Sequence, residues 1–175
     1  MFKLVFVALF AILANASSLS FQNGFIQAHT EVFGDSNINS ATNKITSSLT
    51  MDESYESLKG TVSLETLALK SDNDKRDANM YELLNASLHP NVSFEMTNVS
   101  QTNDEYTIEG NLTLNGVTAP VSSKAIIKEE GNKINLFGNF SILLSSYGMK
   151  PPKLLFLTVR DQIDITYTLN YTKGE

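Results

Sequence analysis

The 175-residue chain has no cysteine, no tryptophan and only two histidines, and just 18% of its residues are charged. Without cysteine there are no disulfide staples, thiol nucleophiles or thiolate metal sites, so a packed core and backbone hydrogen bonds must supply the stability. Basic residues are also scarce: 13 Lys and Arg against 19 Asp and Glu leave a net charge of −6. They are scattered rather than clustered, so neither nucleic acid nor an anionic bilayer surface is expected as a partner. Long apolar runs are missing too. Leu4 to Leu13 is the one unbroken stretch, about half the roughly 20 residues a spanning helix needs. Lys3 precedes it and Ala14-Asn15-Ala16 follows it, which is the pattern of a cleaved secretory signal peptide. Residues 1–16 are therefore predicted to be a signal peptide, and residues 17–175 one exported domain.

Catalytic signatures are equally sparse. His29 falls on a predicted first strand in phase with Phe25 and Phe33, and His89 precedes Pro90 in a turn. Neither belongs to a metal-binding H-x-x-H or H-E-x-x-H pair. No G-x-S-x-G elbow, S-x-x-K motif or glycine-rich phosphate loop is present. The carboxylates of Asp72, Asp74, Asp77, Glu129 and Glu130 fall in turns and at a helix start, where capping and solvation account for them. No catalytic residue, metal or required cofactor is expected.

What the chain does contain is alternation of period two, the mark of strands with one buried face. Gly24 to Phe33 reads as a strand closed by a turn at Gly34-Asp35-Ser36-Asn37. Ile45, Leu49 and Met51 share one face of the next. Leu58, Val62 and Leu64 do so within Glu56 to Leu67. Val92, Phe94 and Met96 follow, then Tyr106, Ile108, Leu112 and Leu114, and then a strand from Val117 to Lys128. After the turn at Glu130-Gly131-Asn132 come Ile134, Leu136, Phe140, Ile142 and Leu144. A loop over 146–153 leads to a closing strand from Phe156 to Tyr171 that carries Ile163, Ile165, Tyr167 and Leu169. Between the third and fourth strands, Met80, Leu83 and Leu84 have helical spacing behind Asp74, which predicts one short helix over Lys75–Asn85. Asn115-Gly116 predicts a tight hairpin of primed type. Eight antiparallel strands in one domain fit either a closed barrel or a two-sheet sandwich. Small residues at inward positions, namely Gly60, Gly110, Ser123, Ala125 and Gly138, predict interior space.

Three stretches resemble a known family. Arg76-Asp77-x-x-Met80-Tyr81, His89-Pro90-x-x-x-Phe94 and Glu109-Gly110-Asn111-Leu112-Thr113-Leu114-Asn115-Gly116-Val117-Thr118-Ala119-Pro120-Val121 look like the core of YceI-like proteins. The final Val159-Arg160-Asp161-Gln162-Ile163-Asp164-Ile165 is similar to that family's last strand. Near the start, Gln27-Ala28-His29-Thr30-Glu31 only partly echoes the family's Asp-x-x-His-Ser segment. The resemblance implies an all-β, lipocalin-like barrel of eight antiparallel strands with one short helix. It further implies a soluble periplasmic carrier whose ligand is a polyisoprenoid or an isoprenoid quinone, held without catalysis.

The residues expected to face that ligand are Ile45, Leu49, Leu58, Val62, Leu64, Phe94, Met96, Ile108, Leu112, Leu114, Leu136, Phe140, Ile142, Leu144, Ile163, Ile165 and Tyr167. Delivering such a lipid could involve transient contact with a membrane or a membrane protein. Three rival readings use the same alternation. In a membrane-spanning barrel the apolar face would point outward. An enzyme acting on the lipid would use His29 or His89 as base, with Asp161 or Glu31 as orienting group. A scaffold, or a homodimer, could use the opposite-phase Phe137 and Leu143.

Overall fold

The computed structural model describes residues 17–32, 35–154 and 157–174, so the predicted signal peptide lies outside the described residues. In chain order the elements are β1 (Ser17–Val32), β2 (Asp35–Thr42), β3 (Ile45–Met51), β4 (Lys59–Glu65), α1 (Asp74–Leu83), β5 (Asn91–Thr102), β6 (Glu105–Leu114), β7 (Val117–Glu130), β8 (Lys133–Leu143), β9 (Lys153–Leu154), β10 (Leu157–Thr158) and β11 (Gln162–Lys173). Nine strands form one antiparallel sheet in the order β11-β8-β7-β6-β5-β4-β3-β1-β2, and β11 pairs with β1 to close it. β9 and β10 make a separate two-stranded ribbon.

Nine strands fill eight places in the ring because β2 and β3 share one edge of β1. Ile26 pairs with Thr42 and Leu19 with Leu49, in a single continuous register. The fold is thus the expected eight-stranded antiparallel barrel with one helix.

Several boundaries differ from the sequence reading: the strand expected over Glu56–Leu67 spans only Lys59–Glu65, and the helix expected over Lys75–Asn85 spans Asp74–Leu83. Of the turn expected over Gly34-Asp35-Ser36-Asn37, Gly34 lies outside the described residues, and Asp35, Ser36 and Asn37 belong to the strand Asp35–Thr42. It carries Asn, Ser and Thr with Ile38 as its one large aliphatic residue. Its pairing with β1, and not an apolar face, makes it a strand. β1 begins at Ser17 rather than Gly24, and the closing strand begins at Gln162 rather than Phe156.

Alternation points the apolar side chains inward. Along β6, Tyr106, Ile108, Leu112 and Leu114 are all buried. On the outside, Lys124, Thr166 and Glu109 face solvent, the reverse of the polarity that a membrane-spanning barrel requires. Phe137 and Leu143 are exposed on this outer face. A bulge between Met96 and Asn98 resets the phase of β5, so that both Met96 and Val99 are buried.

The helix cap falls one residue earlier than expected. The Asn73 carboxamide, not Asp74, accepts from the Lys75 and Arg76 amides at 3.0 and 3.1 Å. Asp77 and Tyr81 then tie α1 to the chain before it. Asp77 Oδ1 accepts from the amide and hydroxyl of Ser71 at 2.8 and 2.7 Å, and Tyr81 donates to the Leu69 carbonyl at 2.6 Å. This docking points Met80, Leu83 and Leu84 at the barrel's apolar interior, as their spacing predicts.

Candidate functional site

The interior holds two apolar clusters. At one end Leu19, Leu49, Met51, Leu58, Val99, Tyr106, Ile134 and Tyr171 pack together as a buried cluster. At the other, Leu64, Leu69, Leu84, Leu112, Leu114, Ile142 and Leu144 form a wall that α1 flanks. Between them lies a cavity of about 950 Å³, at the upper end of the usual range for small-molecule sites. Hydrocarbon dominates its lining, and polar side chains are concentrated where α1, β1 and β9 border its opening: His29, Thr30, Arg76, Asn79, Glu82 and Lys153.

Most of the residues expected to face a ligand line this cavity. They are Val62, Leu64, Phe94, Met96, Ile108, Leu112, Leu114, Leu136, Phe140, Ile142, Leu144, Ile163, Ile165 and Tyr167. Ile45, Leu49 and Leu58 do not. They belong to the first buried cluster, Ile45 and Leu49 on β3 and Leu58 just before β4. Sequence reasoning missed Ile26, Ala28 and Val32 on β1, Ile38 on β2, and Met80 and Leu83 on α1 as lining residues. The alternation of β1 held that signal, since Ile26, Ala28, Thr30 and Val32 fall in one phase.

The glycines expected to leave room prove to be occupied. A Cβ at Gly110 would run into the Phe94 ring and the Glu95 carbonyl, and one at Gly138 would strike the Tyr167 phenol. Each glycine leaves room for an aromatic side chain from the neighbouring strand, so the open space arises elsewhere. Gly60, at φ +128°, lies hard against the Ser48 carbonyl and provides none either.

At the rim, His29 Nδ1 lies 2.9 Å from Asn39 Oδ1, and Nε2 lies 3.4 Å from Glu31 Oε1. Arg160 reaches Glu31 at 3.7 Å and Asp164 at 2.7 Å. Bonds from Ser141 and Gln162, with the Arg160 charge, hold the Asp164 carboxyl below the usual range against the opposing effect of burial. Asp161 instead accepts from the amide and hydroxyl of Ser145 at 2.9 and 2.6 Å. The His89 ring packs against Gly116. Of the candidate base and orienting groups, only His29 and Glu31 are brought together. Among the described residues no three His, Asp or Glu side chains cluster as metal ligands would.

A closed eight-stranded barrel with one packed end and an apolar cavity under a flanking helix defines the lipocalin-like class of architecture. This chain belongs to the YceI-like family, whose domain model matches residues 10–171. It is 32% identical over 138 residues to a UPF0312 protein of Pseudomonas paraeruginosa, covering 74% of this chain and 72% of the relative. A UPF0312 protein of Pectobacterium atrosepticum is 34% identical over 122 residues, 68% of this chain and 62% of the relative. Among solved structures, Burkholderia cenocepacia BcnA superposes with a TM-score of 0.76 at 14% identity, covering 85% of this chain and 96% of that one. A polyisoprenoid binding domain from Saccharophagus degradans, implicated in plant cell wall breakdown, gives 0.72 at 9% identity, covering 91% and 100%.

Proposed function

We propose that this protein is an exported, periplasmic carrier that holds a long isoprenoid-type lipid, either a polyisoprenoid or an isoprenoid quinone, in its barrel and performs no chemistry on it. The observation that carries this reading is the cavity of about 950 Å³ with a predominantly hydrocarbon lining. Each buried CH₂ of such a lipid contributes about 0.8 kcal/mol, so affinity can arise without any catalytic group. A charged head group inside would cost several kcal/mol, whereas at the opening it would meet His29, Arg76 and Lys153. Family membership and the fold shared with a polyisoprenoid binding domain support the same conclusion.

The test is mass spectrometry of organic extracts from natively purified protein, alongside Ile163→Trp and Ile165→Trp, which add bulk on the cavity wall. An isoprenoid lipid should be recovered from the native protein. It should fall severalfold in both variants while cooperative unfolding persists. Extracts with no lipid, or undiminished lipid in both folded variants, would refute the carrier role or the cavity as its site.

A further inference from the structure

Ser123 and Tyr167 are polar residues in the inner half of the cavity, where their neighbours Val62, Met96, Leu136 and Leu169 are apolar. Ser63 also borders the cavity, but its hydroxyl bonds Thr46 at 2.8 Å in an exposed pair. Ser123 is 3% exposed. Its Oγ lies 3.0 Å from the Asn139 carbonyl, 3.2 Å from that of Lys124 and 2.9 Å from Tyr167 Oη.

Either hydroxyl could donate in the Ser123–Tyr167 contact, and counting protons picks the direction that keeps both the carbonyl contact and the phenol contact as hydrogen bonds. A carbonyl oxygen only accepts, so the single Ser123 proton is taken by Asn139 or Lys124. The Ser123 oxygen then accepts, and the Tyr167 proton is directed at it. With that proton committed, the phenol of Tyr167, a residue that lines the cavity, has lone pairs and no donor left for a ligand there. Gly138 fixes its position, since a Cβ there would overlap the phenol.

We propose that this buried acceptor makes the protein selective for a lipid whose innermost end carries a neutral hydroxyl, that is, a prenol-type alcohol rather than a quinone. The inference rests on the carrier reading above. An alcohol can donate to Tyr167 Oη while every existing bond stays in place. A quinone carbonyl is itself an acceptor, and could be met only by withdrawing the Tyr167 proton from Ser123, exchanging one bond for another with no net gain. Such cargo would lie with its hydroxyl innermost and its tail toward the α1 opening.

The experiment compares geranylgeraniol with its methyl ether, which keeps the chain and removes the donor, by isothermal titration against delipidated protein. The alcohol should bind on the order of tenfold more tightly, as expected for one buried hydrogen bond. Tyr167→Phe should erase that preference while both ligands still bind. Ser123→Ala, which frees the phenol proton to donate, should shrink it by improving the ether. Equal affinities for the native protein, or a preference that survives Tyr167→Phe, would overturn the proposal and leave the carrier role standing. If Tyr167→Phe fails to unfold cooperatively, an undiminished preference in Ser123→Ala would overturn it instead. If neither ligand binds the native protein, the carrier reading fails as well.

Discussion

Asp77 is the charged residue most deeply buried among those described, with 2% exposure. Burial alone would raise its carboxyl, but the Ser71 hydroxyl and amide and the nearby Lys70 ammonium, at 3.6 Å, outweigh that effect and hold it below the ordinary carboxylate range. A carboxyl depressed in the folded state stabilises fully above its unfolded value, near pH 4, and loses that contribution as pH falls through the lower folded value. Asp77→Ala should therefore cost about 1–3 kcal/mol at pH 7, because it also strands the Ser71 amide. In urea unfolding of both proteins from pH 7 to pH 2, the gap should narrow at the acid end. A gap independent of pH would assign the loss to packing and not to charge. Arg76 has a lesser place: it pairs with the exposed Asp72 at 3.3 Å, an arrangement that contributes little.

The β6–β7 hairpin is the element most clearly announced by its residues. Leu114 pairs with Val117 across a two-residue turn in which Asn115 has φ 50° and Gly116 φ 72°, the geometry that Asn-Gly favours. Asn115 also bonds Asn85, just beyond α1, and the Tyr147 carbonyl, at 2.7 and 3.0 Å, so this one turn joins three parts of the wall. Gly116→Val would impose strain at positive φ and collide with His89. The expected loss is about 1–3 kcal/mol, and an unchanged melting temperature would contradict it. Where side chains alternate strictly, as in β6 and β8, the face of every residue could be read from the sequence. β2 could not, because its identity depends on the edge of β1 it pairs with. The glycines misled for a related reason. Whether a missing side chain leaves a hole depends on what leans over it, and Phe94 and Tyr167 come from neighbouring strands. Local pattern therefore fixes orientation, while cavity shape is a property of contacts between strands.

At the scale of the whole molecule, the barrel is closed by its first and last strands. Leu19 pairs with Lys173 and His29 with Asp164, and the side chain of Gln22 reaches Thr172 at 3.1 Å. By contrast, β5 to β8 follow one another through short hairpins. Joining near neighbours loses little chain entropy, whereas joining the two ends loses much more and must wait for the rest. Leu112→Ala in β6 and Leu169→Ala in β11 should each destabilise by about 2–5 kcal/mol, but in different kinetic limbs. The first should chiefly slow folding and the second chiefly speed unfolding. Stopped-flow measurements on both variants would decide the matter, and equal effects on the two rates would refute a late β1–β11 closure.

That order of events gives the seam a place in time as well as in space. Until β11 zips against β1 there is no enclosed interior, only a curled sheet with a greasy concave side. On the exported-carrier reading proposed above, a chain emerging unfolded would pass through a state that can wrap around a hydrocarbon directly, before any opening exists to thread it through. The first cargo molecule could then be enclosed as the protein matures, with the α1 opening serving only later exchange.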